Sequence, residues 1–150
     1  MANFCYSEYK HQLLLGSINH SSADIRVALL MTNTTANTEQ DKTTVGGGTG
    51  FTTIDEYDGS GYTSPGQALA NKAVTQDATN HRGVFDADDL TWTALGAGTR
   101  QCKAALIYKF VTNLNSSLPM AYIDTGGFPF AGNGSNVTLQ WNAAGIIQAN

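Results

Sequence analysis

Hydrophobic and polar residues alternate most regularly between Gly83 and Phe110, in the run GVFDADDLTWTALGAGTRQCKAALIYKF. Leu90, Trp92 and Ala94 are separated by Thr91 and Thr93, and a period of two predicts a strand with one buried face. Gly96, Ala97 and Gly98 interrupt the pattern as a turn. Beyond them Cys102, Ala104, Leu106, Tyr108 and Phe110 share one face, and Lys103, Ala105, Ile107 and Lys109 the other. The first face is wholly apolar and the second is apolar at its middle, which predicts a central strand covered on both sides. The two strands are expected to lie next to each other and, with their aromatic side chains, to form the core of a sheet.

The same reading extends along the chain. Phe4 to Leu15 carries Phe4, Tyr6, Tyr9 and Leu13 at helical spacing, with Ser7 as a candidate N-cap and Gly16 as a stop. A helix this short is marginal alone, so its apolar stripe must dock. Asp24 to Met31 alternates, with Ile25, Val27, Leu29 and Met31 on one face, and predicts an inner strand. Phe51 to Tyr62 reads as irregular chain or a short strand packed by aromatics. Gln67 to Gln76 reads as one strand, turned at Asp77–Asn80 into Gly83–Phe85. Leu118 to Thr125 is another strand. Asn136 to Asn142 alternates most cleanly, with Val137, Leu139 and Trp141 facing in. Gly145, Ile146 and Ile147 close the chain as a short strand. Trp92 and Trp141 both fall on apolar sides and are expected in the core. Short strands divided by turns predict a mainly β fold, an antiparallel β-sandwich or jelly-roll-like domain with one short N-terminal helix. The 150 residues suffice for one domain with a real core.

Residues 32–50, TNTTANTEQDKTTVGGGTG, differ in kind. They hold a single large hydrophobe, Val45, and end in glycines. Such a stretch cannot build its own core, and a connection of this length is usually functional or ordered by a partner. It is expected to be a long polar loop or extended arm, removable between Thr35 and Gly48 without loss of the fold. Thr43 and Val45 within it, and Phe51, Phe128 and Phe130 in nearby or later loops, are the candidate partner contacts. Gly46–Gly48 lacks the Lys-Ser/Thr pair of a phosphate loop.

Charged residues make up only 13% of the chain, about half the ordinary share, which suits a surface meant to be covered. The net charge of −4, with basic residues scattered, argues against nucleic-acid binding. Cys5 and Cys102 are far apart and form neither a zinc nor a redox pattern; Cys102, on an apolar strand face, reads as a free buried thiol. Leu13–Leu15 is too short for a signal-peptide core, and no apolar run reaches membrane-spanning length. Asp86, Asp88 and Asp89 are the best metal candidates, but their spacing is not that of a calcium loop and carboxylates between strands usually cap turns. His11, His20 and His81 have no partner at metal spacing, and no serine sits in a nucleophile elbow. A carboxylate pair assembled in space would allow glycoside hydrolysis. Asn19, Asn33, Asn115, Asn133 and Asn136 open sequons that a chain rich in Asn, Ser and Thr produces by chance. No catalytic residue, cofactor or metal is expected.

Several segments taken in order resemble a widespread group of small virion proteins of tailed bacteriophages. YKHQLLLGSIN and ADIRVALL are similar to that group's opening helix, turn and first strand. GYTSPGQALANKAVT and VFDADDLTWTAL are similar to its second and third signatures. AALIYKF, MAYIDTGG and VTLQWNAAGII follow as its later ones. Residues 32–50 depart from it, being longer and more polar. The resemblance implies a non-enzymatic structural component of the virion, assembled in the host cytoplasm. Its expected form is a capsid decoration or cement protein, bridging capsomers of the major capsid protein on the outer head surface as a homo-oligomer such as a trimer. The alternative place is the neck, tail or baseplate; a carbohydrate-binding or hydrolytic virion protein is a third reading. No membrane or nucleic-acid partner is implied.

Overall fold

The structure is a computed structural model that describes residues 3–149. Its elements in chain order are β1 (Phe4–Cys5), α1 (Ser7–Leu14), β2 (Ile25–Met31), β3 (Gln67–Ala68), β4 (Ala73–Asp77), β5 (Arg82–Asp86), β6 (Leu90–Leu95), β7 (Cys102–Lys109), β8 (Leu118–Ile123), β9 (Ser135–Leu139) and β10 (Ile147–Ala149). They form a mainly β fold of antiparallel sheets with one short helix, as the alternation predicts.

The organising layer is a five-stranded sheet in the order β1-β8-β7-β2-β3. Its three long strands are apolar on both faces, and nearly every residue of β2, β7 and β8 is buried. The register lines up Leu29, Ala105 and Ile123 on one face and Ala28, Leu106 and Tyr122 on the other. Against the first face lie α1 and the two smaller sheets, β10-β5-β4 and β6-β9. Tyr9 of α1 meets His20, which tilts on Phe85 of β5 at 5.1 Å, and Leu29 shares a cleft with Trp92 of β6. Against the second face lies irregular chain. Phe4 stacks on Tyr122 at 5.3 Å, Tyr6 packs on Phe51 at 5.4 Å, and the Tyr6 hydroxyl donates to the Ala36 carbonyl at 2.8 Å. The Tyr108 hydroxyl donates to the Pro65 carbonyl.

Several local expectations need correction. The helix begins at Ser7, so Tyr6 rather than Ser7 is its N-cap, in extended conformation and without a side-chain cap bond. Phe4 and Cys5 leave the helical stripe because they pair with Tyr122 and Ala121 of β8. At the other end Gly16 is the expected stop. Its φ is +67°, and Ser17 N–H reaches back to Gln12 O at 3.0 Å and Gly16 N–H to Leu13 O at 3.1 Å, the paired bonds of a left-handed helix terminus.

β6 and β7 are not neighbours. β7 lies between β2 and β8, whereas β6 pairs with β9 in a separate sheet, and Gly96–Gly98 carries the chain from one layer to the other. Within β6 the alternation slips. The register shifts between Trp92 and Leu95, Ala94 is exposed at φ +51°, and Leu95 takes the inward place. A bulge inserts one residue and so reverses the face that follows it. The single strand expected over Gln67–Gln76 is two. Asn71 turns the chain at φ +49°, so that β3 joins the large sheet and β4 the small one. Trp92 is 1% exposed, but Trp141 lies beyond the end of β9 and is half-buried. Its indole N–H donates to Asp88 O at 2.8 Å.

The largest correction concerns residues 32–50, which fold back onto the protein instead of extending from it. Val45 N–H donates to Ser117 O and Gly46 N–H to Asn115 O, both at 2.9 Å, and Ser7 N–H donates to Gln40 O at 3.1 Å. Ala36 and Val45 are fully buried. One hydrophobe and one alanine suffice because the loop shares the large sheet's core and needs none of its own.

Candidate functional site

The five sequence-derived contact residues divide sharply. Val45 is 0% exposed and Phe51 4%, so both side chains belong to the core and have no surface to offer. Thr43 is exposed on the loop. Phe128 and Phe130 are half-buried and stand together, ring centroids 5.6 Å apart. The Gly126–Gly127 turn, both glycines at positive φ, lets the chain leaving β8 reverse before them, and Phe130 exchanges two backbone hydrogen bonds with Cys102 at 2.8 and 2.9 Å.

Those two rings wall a cleft of 340 Å³. Leu29, Trp92, Val137 and Leu139 form its apolar side, and Asn133, Ser135, Asn136 and Thr138 supply amides and hydroxyls. A second recess of 390 Å³ adjoins it through the shared Gly126 and Leu139 and runs past Gln140 to Trp141. Among the described residues no acidic or basic side chain lines either one. Ring faces, amides and hydroxyls suit them to holding an uncharged surface by stacking and hydrogen bonds. Sequence reasoning missed this cleft as a unit, since its walls come from β6, β9 and the chain after β8. The two phenylalanines in a loop without strand pattern were its one visible sign.

The three aspartates do not converge as ligands. Asp88 accepts from the Asn71 amide at 2.6 Å, Asp89 accepts from Trp141 N–H at 2.8 Å, and Asp86 lines a separate shallow recess with Thr75 and Arg82. Among the described residues no three His, Cys, Asp or Glu side chains gather in a metal-holding group. His11 lies beside Glu8 at 3.4 Å. His20 is buried against Tyr9, whose hydroxyl oxygen lies 2.7 Å from Nε2, and burial lowers its pKa. Burial pushes the Cys102 thiol up to about 12; it is a core side chain, as its strand face predicts.

Two other surfaces stand out. Leu14 and Leu15 at the end of α1 are 89% and 62% exposed. Val74 is 55% exposed on β4, where only Asp77 is even partly covered. No helix is long and apolar enough to cross a membrane among the described residues.

No protein-family model, no curated protein and no solved structure matches this chain.

Proposed function

We propose that this chain is a non-enzymatic structural component of a tailed-phage virion. In this reading it is a decoration protein that binds the major capsid protein on the outside of the head. The observation that carries the reading is where the resembling segments fall. ADIRVALL, AALIYKF and MAYIDTGG supply β2, β7 and β8, three adjacent strands of the buried sheet. The likeness therefore lies in the residues that determine the fold. What remains outside is a surface poor in charge, with an uncharged aromatic cleft and exposed leucines. Many copies of a modest neutral interface reinforce a shell by summation, with no single contact needing to be tight.

The test is cosedimentation of the purified chain with phage heads that lack it, followed by quantification against the major shell protein. Saturation at a stoichiometry commensurate with the shell lattice is expected. Saturation at a few copies per particle, or binding to tails alone, would move the protein to the neck, tail or baseplate. Retention on polysaccharide, with no binding to particles, would replace the reading by a carbohydrate-binding one.

A further inference from the structure

β4 is the most open strand edge in the molecule. It ends the order β10-β5-β4 and pairs on one side only, in five unbroken pairs from Ala73↔Asp86 to Asp77↔Arg82. Among the described residues no other backbone hydrogen bond reaches residues 73–77. Every second N–H and C=O of the strand therefore points outward without a partner, a template for another strand. Proteins ordinarily guard such an edge with a proline, a lysine, a bulge or a covering loop. β4 reads Ala-Val-Thr-Gln-Asp and carries none of these. Other edges are short or occupied. β1 and β3 have two residues each, and β6 is bulged and accepts a hydrogen bond from the Gln67 side chain at Thr91 O. The outer edge of β9 faces the Gly126–Ala131 chain across the cleft.

We propose that β4 is a self-association edge, and that a second copy of this chain is its occupant. The two β4 strands pair antiparallel about a two-fold axis through Thr75 and join two three-stranded sheets into one of six. The axis position follows from geometry. Directly opposed residues on antiparallel strands share a face, so a two-fold axis must pass through a residue and cannot fall between two. Thr75 is the one centre that engages all five residues. It sets Thr75 against its own copy, Val74 against Gln76, and Ala73 against Asp77.

No like charges meet in this arrangement. Thr–Thr is a favourable cross-strand pair, and each end of the ladder sets the small Ala73 against Asp77, whose carboxylate is already paired with Arg82 of its own chain. Val74 also borders an apolar recess with Leu13, Val84, Ile147 and Ala149, so apolar surface flanks the edge on that face. The contact is isologous and closes on itself. It needs no virion component and stands or falls separately from the decoration reading.

Sedimentation velocity and light scattering of the purified chain, from micromolar to near-millimolar concentration, are expected to show a reversible dimer. Thr75→Lys places two ammonium groups on the axis and guards the edge; it should weaken the dimer by about tenfold or more. It should leave the melting temperature of dilute protein unchanged, because Thr75 is exposed. Thr75→Cys should form a disulfide-linked dimer under mild oxidation, while the wild-type chain with Cys5 and Cys102 and a Thr49→Cys control do not. A wild-type chain that stays monomeric throughout, a dimer indifferent to Thr75→Lys, or cross-linking no faster for Thr75→Cys than for the control would each overturn the proposal.

Discussion

Tyr57 shows how much of the packing rests on single polar atoms. Its ring is buried, and its hydroxyl donates to Gly96 O at 2.8 Å while accepting from Gly98 N–H at 3.0 Å and Gly132 N–H at 3.3 Å. Three chain segments thus meet on one oxygen. They approach so closely that a β-carbon at Gly59 or Gly132 would stand 2.3 or 2.2 Å from Gly96 O. Tyr57→Phe removes all three bonds and leaves the buried Gly132 amide and the half-buried Gly98 amide without this acceptor, a loss of about 2–3 kcal/mol at roughly 1 kcal/mol each. Urea unfolding should show it as a lower midpoint with an unchanged slope. Glu39 performs a similar role for the long loop. It accepts from the hydroxyls of Thr35 and Thr52 and from Thr52 N–H, and these bonds hold its carboxyl down to about 2 against an ordinary 4.5. A depressed carboxylate stabilises the fold above its ordinary value and loses that contribution as pH falls through the folded one. Loop 32–52 should therefore loosen between pH 4.5 and 2, read as faster proteolytic nicking there, and Glu39→Gln should be loose at neutral pH already. His20 titrates higher. Burial depresses its pKa below 6.5, so its contribution is complete above that value and fades as pH drops beneath it; His20→Gln should flatten the melting temperature across the mildly acidic range.

At the scale of elements, alternation identified most strands and misjudged their company. β2, β7 and β8 were legible because an apolar run on both faces has few places to go except the middle of a sheet. The partner of β6 was not legible, since a strand with one apolar face is satisfied by any layer that covers it. The 32–50 loop was misread for a related reason. Its polarity suggested independence, yet threonine hydroxyls, one carboxylate and borrowed core contacts from Ala36 and Val45 hold it in place. Deleting Thr35 to Gly48 is thus expected to damage the fold. Loss of two buried side chains, the Glu39 bonds and the Ala36 acceptor of Tyr6 should cost at least about 3 kcal/mol. Thermal unfolding of the truncated chain should fall by roughly 10 °C or more; a melt within a degree or two of the intact chain would make the loop an appendage after all.

The whole molecule is a central sheet with unlike coverings, a helix and two small sheets on one side and folded loops on the other. The two tryptophans report on that asymmetry. Trp92 lies between layers at 1% exposure, while Trp141 sits half-buried beside the open recess. Iodide should quench one indole and spare the other, and Trp141→Phe should abolish the quenchable fraction; equal quenching of both would contradict the layering. By itself the sequence determined the mainly β class, the helix stop at Gly16, the central place of β7 and the burial of Trp92. Each of these depends on residues near one another in the chain, through period, turn chemistry and local apolar density. Only the tertiary structure decided which strands pair, that Val45 and Phe51 belong to the core, that Phe128 and Phe130 wall a cleft, and that β4 is left with an open edge. These depend on which distant segment arrives as a neighbour, and apolar burial rewards any well-fitting neighbour without naming it in the local pattern.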